Sequence, residues 1–211
     1  MVDRCLKSVD KYKGCYEVIR LSDENLREYI ELPQYILDKK TEMTVAHFSD
    51  ILRVCLLSTY GGIWLDATVL MSAVMPSYVT GGDFFAYQRD DSEARKDYWE
   101  SAYAYYFGWG RDFHVNMLSS IMAAKADTVI INALASILLA WWKENDGVPD
   151  YFFLQILFDV LVKGRLREYN CEIRSDCPPH YLQQSINDPG FDLMPAEAIL
   201  DTVPLHKLTY K

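Results

Sequence analysis

The chain has 211 residues, 50% of them hydrophobic and 14% aromatic, which is enough apolar side chain to bury a core and too much for a disordered chain. Its formal net charge of -9 argues against a nucleic-acid partner and against electrostatic attachment to an anionic membrane, both of which need a cationic surface. The longest apolar run, Val129 to Trp142, is broken by Asn132 and Ser136 and falls short of the ~20 helical residues that cross a bilayer, so no transmembrane segment is expected.

Asp3, Arg4 and Lys7 interrupt any apolar stretch at the start, so no signal peptide is expected there. The cysteines, Cys5, Cys15, Cys55, Cys171 and Cys177, are odd in number and form no C-x-x-C pair, which predicts reduced thiols and a cytoplasmic protein, free or peripheral at the inner face of the membrane. Cys55 falls in an apolar helical stripe and reads as a small core residue.

Asp3 to Tyr12 reads as a helix ended by Gly14, and the alternation of Tyr16 to Leu21 predicts a strand. The cap-rich Ser22-Asp23-Glu24-Asn25 leads into a short helix over Leu26 to Ile30, and Pro33 opens a further segment reaching Lys39. Val45, Phe48, Leu52, Cys55 and Leu56 follow the helical period, Thr59 continues that face, and Gly61-Gly62 supply a C-cap. Ile63-Trp64-Leu65 suits a central strand. Asp66 then sits at a strand end, where open α/β sheets bind their ligands.

Pro76 and Gly81-Gly82 bracket a turn, and Asp83 to Tyr87 reads as the next strand. Asp90 to Asp97 is charged and reads as an exposed loop, followed by the aromatic-dense stretch Tyr98 to Trp109. Asn116 to Ala124, Thr128 to Glu144 and Asp150 to Lys163 predict helices, the second of them buried. Cys177-Pro178-Pro179 and Asp188-Pro189-Gly190 mark an irregular C-terminal stretch. Strands and helices alternate in the first half, which predicts a single α/β domain over residues 1–211 with helices on both faces.

Ser49-Asp50-Ile51-Leu52-Arg53 and Tyr60-Gly61-Gly62-Ile63-Trp64-Leu65-Asp66-Ala67-Thr68 resemble the sugar-nucleotide-binding core of the capsular polysaccharide synthesis proteins and related glycosyltransferases with a DxD motif. Tyr16-Glu17-Val18-Ile19, Asp150-Tyr151-Phe152 and the closing His206-Lys207-Leu208-Thr209-Tyr210-Lys211 extend the likeness over most of the chain. The resemblance implies a GT-A-like nucleotide-diphospho-sugar transferase fold. It also implies a nucleotide-diphosphate sugar donor, a glycan or lipid-linked glycan acceptor, and retention of anomeric configuration in surface polysaccharide assembly. On that mechanism the leaving phosphate takes the proton of the acceptor hydroxyl, and the enzyme positions and neutralises.

Asp50 and Arg53 are neighbours on one helix face. They fit a surface ion pair, worth ~0.3–0.5 kcal/mol, or a ligand-facing pair, since Val54 and Leu57 continue the same face. The resemblance makes them contacts to ribose or donor-sugar hydroxyls, with Gly61, Gly62 and Trp64 as further donor-binding residues and Arg53 and Asp66 as catalytic ones.

Asp66 alone would fit a turn cap. By resemblance it holds a divalent cation, Mn²⁺ or Mg²⁺, that neutralises the diphosphate. Thr68 stands where DxD enzymes have a second carboxylate, so the expected metal dependence is weak. His206 and Lys207 fit a tail with ordinary charges or, by resemblance, a metal ligand and a phosphate-holding cation.

Asp150 follows Gly147 and Pro149 and fits an N-cap, with contact to the donor sugar as its functional reading. Trp99, Tyr103, Tyr105, Tyr106 and Trp109 fit core packing, a lid hinge, or stacking on an acceptor. His47, His114 and His180 have no spaced partner for a metal. Members of the family it resembles carry an additional β-strand ahead of this region, whereas Met1 leads directly into the first helix. That predicts a poorly active, self-associating chain, and its rival reading is a catalytically impaired module that binds sugar nucleotides or glycans.

Overall fold

The computed structural model describes residues 1–103 and 105–209; Tyr210 and Lys211 of the closing motif lie outside the described residues. The first half runs α1 (Val2–Tyr12), α2 (Leu26–Tyr29), α3 (Gln34–Lys39), α4 (Val45–Tyr60), β1 (Gly62–Leu65), β2 (Val69–Met71), α5 (Ser77–Thr80), β3 (Phe84–Gln88) and α6 (Lys96–Ala102). The second half runs β4 (Met117–Ala124), α7 (Val129–Glu144), α8 (Phe153–Lys163), a 3-10 turn at Pro178–His180, α9 (Tyr181–Asn187), α10 (Ala196–Thr202) and β5 (Leu205–Lys207).

Two small antiparallel sheets carry the fold, one in the order β1-β4-β3 and the other pairing β2 with β5. Helices cover both faces, as the alternation implied. Period-two alternation along β3 shows the division: Phe84 and Ala86 join the core with α4, α7 and α8, while Phe85 and Tyr87 join the one with Val69, Val79 and Leu205. Cys55 lies in the first of these cores, where the helical stripe places it.

Four expectations are corrected. Asn116 to Ala124 is no helix, because from Met117 onward it is the central strand, buried at every position. A run of Met, Leu and Ala suits either element, and burial on both faces decides for a strand. Ile63-Trp64-Leu65, expected in the centre, is therefore at the sheet edge. Tyr16 to Leu21 is irregular: Tyr16 and Ile19 are exposed, and without a neighbouring strand its β propensity forms no ladder. The C-terminal stretch, expected irregular, holds α9, α10 and β5.

The charged loop ends at Arg95, where α6 begins. Behind it Trp99 and Phe107 are fully buried. Arg89 donates to both Asp176 oxygens at 3.0 and 3.1 Å, with its guanidinium 4.3 Å from the Phe107 ring and 4.8 Å from that of Trp109. Most of the aromatic stretch is therefore packing around a buried ion pair.

Candidate functional site

Thr44 caps α4 by accepting from His47 N, and the helix is then buried on nearly every side, Asp50 and Arg53 included. Gly61 and Gly62 (φ +69° and +100°) turn the chain into β1, and a Cβ on Gly61 would fall 2.7 Å from Ala126 N. That turn brings the end of β1 back alongside α4. Asp66, one residue past the strand, donates its N–H to Ser120 O at 2.9 Å and so stays tied to β4. Lys207 arrives from β5.

The four charged side chains meet at one point. Arg53 Nη1 lies 3.1 Å from Asp50 Oδ1, and Nη2 donates to Asp66 Oδ1 and to Ser49 Oγ, each at 3.2 Å. Trp64 is on the same side of the chain as Asp66, two residues on; its Nε1 donates to Asp66 Oδ1 at 2.8 Å and its ring lies 5.6 Å from the Arg53 guanidinium. Lys207 Nζ donates to Thr68 Oγ1 at 2.5 Å and to Asp66 Oδ2 at 3.4 Å.

These contacts set the charges. Burial pushes Asp50 up to about 6, opposed by Arg53 and assisted by the Asp66 charge. Burial acts on Asp66 in the same direction, yet Arg53 and Lys207, with the hydrogen bonds from Trp64 and Lys207, outweigh it and hold Asp66 below the usual carboxylate range. Burial lowers Lys207 against the pull of Asp66.

The cluster lies in a cleft of about 1300 Å³, walled by the segment after α1, by α4, by the end of β1, by Ser119 and Ser120 of β4, and by Tyr106, Tyr151, Phe152, Gln155 and His180. Of the residues singled out in the sequence, Asp50, Arg53, Gly61, Gly62, Trp64, Asp66 and Lys207 all line it. Two do not. Asp150 is exposed and accepts from Phe152 N at 2.7 Å, capping the turn before α8. His206 sits one residue before Lys207, so strand alternation turns it away, to 3.1 Å from Ser72 Oγ, where burial lowers it to about 4.

Ser119, Ser120 and Gln155 are among the cleft residues missed as site candidates. Each is a polar residue inside an apolar run, Met-Leu-Ser-Ser-Ile-Met and Phe-Leu-Gln-Ile-Leu-Phe, and that interruption was the available signal.

The side chains do not fit the divalent cation that the resemblance implies. Both Asp66 oxygens already accept from cations, the Thr68 hydroxyl accepts from Lys207, and His206 faces elsewhere. Among the described residues no group of three His, Cys, Asp or Glu side chains is placed to hold a metal. The positive charge beside Asp66 comes from Arg53 and Lys207.

The family described as capsular polysaccharide synthesis protein matches the chain over residues 1–211. The chain belongs to the capsular polysaccharide synthesis family. No curated protein and no solved structure matches this family member. The match spans α4, β1 and β5 alike, so the elements that bring Asp50, Arg53, Asp66 and Lys207 together all lie within the family's extent.

Proposed function

We propose that the cleft is the donor site of a glycosyltransferase, moving a sugar from a nucleotide diphosphate to a glycan or lipid-linked glycan during capsular polysaccharide synthesis. The observation that supports this most is the convergence of a buried guanidinium and an ammonium on one strand-end carboxylate, within a cleft larger than the 300–1,000 Å³ of ordinary small-ligand sites. On this reading Lys207 and Arg53 face the diphosphate and stabilise the charge that grows as the sugar leaves. Asp50 and Asp66 accept from sugar or ribose hydroxyls, and their bonds to Arg53 fix them in advance. The leaving phosphate takes the acceptor proton, so the chain itself need supply no base.

The second reading, a binding module without turnover, is favoured by one observation: the Asp66 carboxylate is already satisfied by the protein's own donors. Calorimetry with UDP-, GDP- and dTDP-sugars, followed by an assay for released nucleoside diphosphate, separates the two. Binding with release is the expected result. Binding without release in the presence of glycan acceptors leaves the module, and absence of binding across the panel removes the transferase and leaves only a module that binds glycans.

A further inference from the structure

Three polar atoms in the cleft wall are buried without a hydrogen-bond partner among the described residues: Arg53 Nε, Ser120 Oγ and Gln155 Oε1. A buried polar atom left unpaired is costly, and native chains leave few of them. Three along one cleft are therefore a property of the site. Their placement has an identifiable cause. The pairing of β4 with β3 jumps from Met122 opposite Ala86 to Leu118 opposite Tyr87, so Ser119 and Ser120 fall in an irregularity without partners on β3. Such breaks in a ladder re-aim side chains. Here they put Ser120 next to Asp66, whose N–H its carbonyl holds. Ser119 Oγ accepts from Gln155 Nε2 at 3.0 Å, which anchors the Gln155 amide and leaves its buried oxygen without a partner among the described residues.

We infer that Ser120 and Gln155, with the Nε–H of Arg53, form a subsite for the hydroxyl groups of the transferred sugar, beside the Arg53 and Lys207 terminal nitrogens that face the diphosphate. This rests on the donor-site reading above. The chemistry of the three atoms selects the ligand. One is a donor, one an acceptor, and the serine hydroxyl is both, which complements neutral hydroxyls. A phosphate offers only acceptors and would face the Gln155 oxygen unfavourably, so the subsite belongs to the sugar end of the donor.

The test compares UDP, GDP and dTDP with UDP-glucose, GDP-mannose and dTDP-glucose by calorimetry, on the parent and on Ser120→Ala and Gln155→Met, with melting curves for each. For whichever base binds, the sugar conjugate is expected to lose about 3–10-fold in affinity in each variant while the bare nucleoside diphosphate keeps its own. Ser120→Ala removes an unpaired buried hydroxyl and is expected to raise the melting temperature by about 2–4 °C, a sign that a merely structural serine would not give. An unchanged ratio of conjugate to bare nucleotide in both variants overturns the subsite while sparing the donor-site reading. No binding of any conjugate or nucleotide by the parent overturns that reading, and the subsite with it.

Discussion

The Lys207 ammonium lies between the outer side chains of Asp66-Ala67-Thr68, donating to Thr68 Oγ1 at 2.5 Å and to Asp66 Oδ2 at 3.4 Å. Asp66 is shared between this ammonium and the Arg53 guanidinium, and the neutral Thr68 hydroxyl completes the Lys207 contact. Nucleotide-sugar affinity is accordingly expected to be the same with Mn²⁺ or with a chelator. Lys207→Met should weaken it about tenfold or more, through loss of a charged hydrogen bond. Thr68→Asp should create Mn²⁺ dependence, since a second carboxylate gives a hard cation the ligand it lacks. Titrations of Mn²⁺ with nucleotide sugar present check all three.

Arg53 serves Asp50, Asp66 and Ser49 at once through a planar fork. Arg53→Lys keeps the charge and loses the fork, so donor affinity should fall well beyond the loss in stability. Calorimetry beside a melting curve reads both, and equal binding by variant and parent would remove Arg53 from the donor site.

The raised pKa of Asp50 has a definite sign. A carboxyl held at about 6 in the folded chain binds a proton more readily there than when unfolded, so its contribution to stability is full below the ordinary carboxylate value and is lost as pH rises through about 6. Asp50→Asn abolishes that loss. Relative to the parent, the variant should gain on the order of 2–3 kcal/mol between pH 4 and pH 8. The neutral His180 and His206, each lowered to about 4 by burial, titrate equally in both proteins and cancel from the difference. Melting curves across that pH range check it, and a flat difference would mean that Asp50 is not desolvated.

Gly61→Ala tests the turn that aims β1. Its φ of +69° is unfavourable for alanine, and the added Cβ would meet backbone atoms, Ala126 N at 2.7 Å first. A loss of about 1–3 kcal/mol in stability is expected from the strained backbone alone, measured by denaturant unfolding.

The sequence made the charged end of the site legible for a local reason. Asp50 and Arg53 are one helical turn apart, and Asp66 follows a short apolar strand, so spacing marks them as candidates, while the roles proposed for them come from the family resemblance. Lys207 and His206 were legible only as a pair. Which of them faces the cleft depends on the register of β5 against β2, Leu70 opposite His206, and no local signal contains that pairing. The strand β4 was misread because its residues favour a helix in isolation and become a strand only between β1 and β3. With β4 went the irregularity that presents Ser119 and Ser120, so the polar interruption of the apolar run was visible in the sequence but its place in the cleft was not.

The central claim is that the Asp66 cluster turns over a nucleotide sugar. It is tested most directly by nucleoside-diphosphate release from the UDP-, GDP- and dTDP-sugar panel with glycan acceptors, comparing the parent with Asp66→Asn. The account predicts release by the parent from at least one donor and a fall of about 10²–10³-fold in the variant, because Asp66→Asn removes the carboxylate that holds Arg53 and Lys207 in place for the leaving diphosphate. Equal release by parent and variant would contradict it.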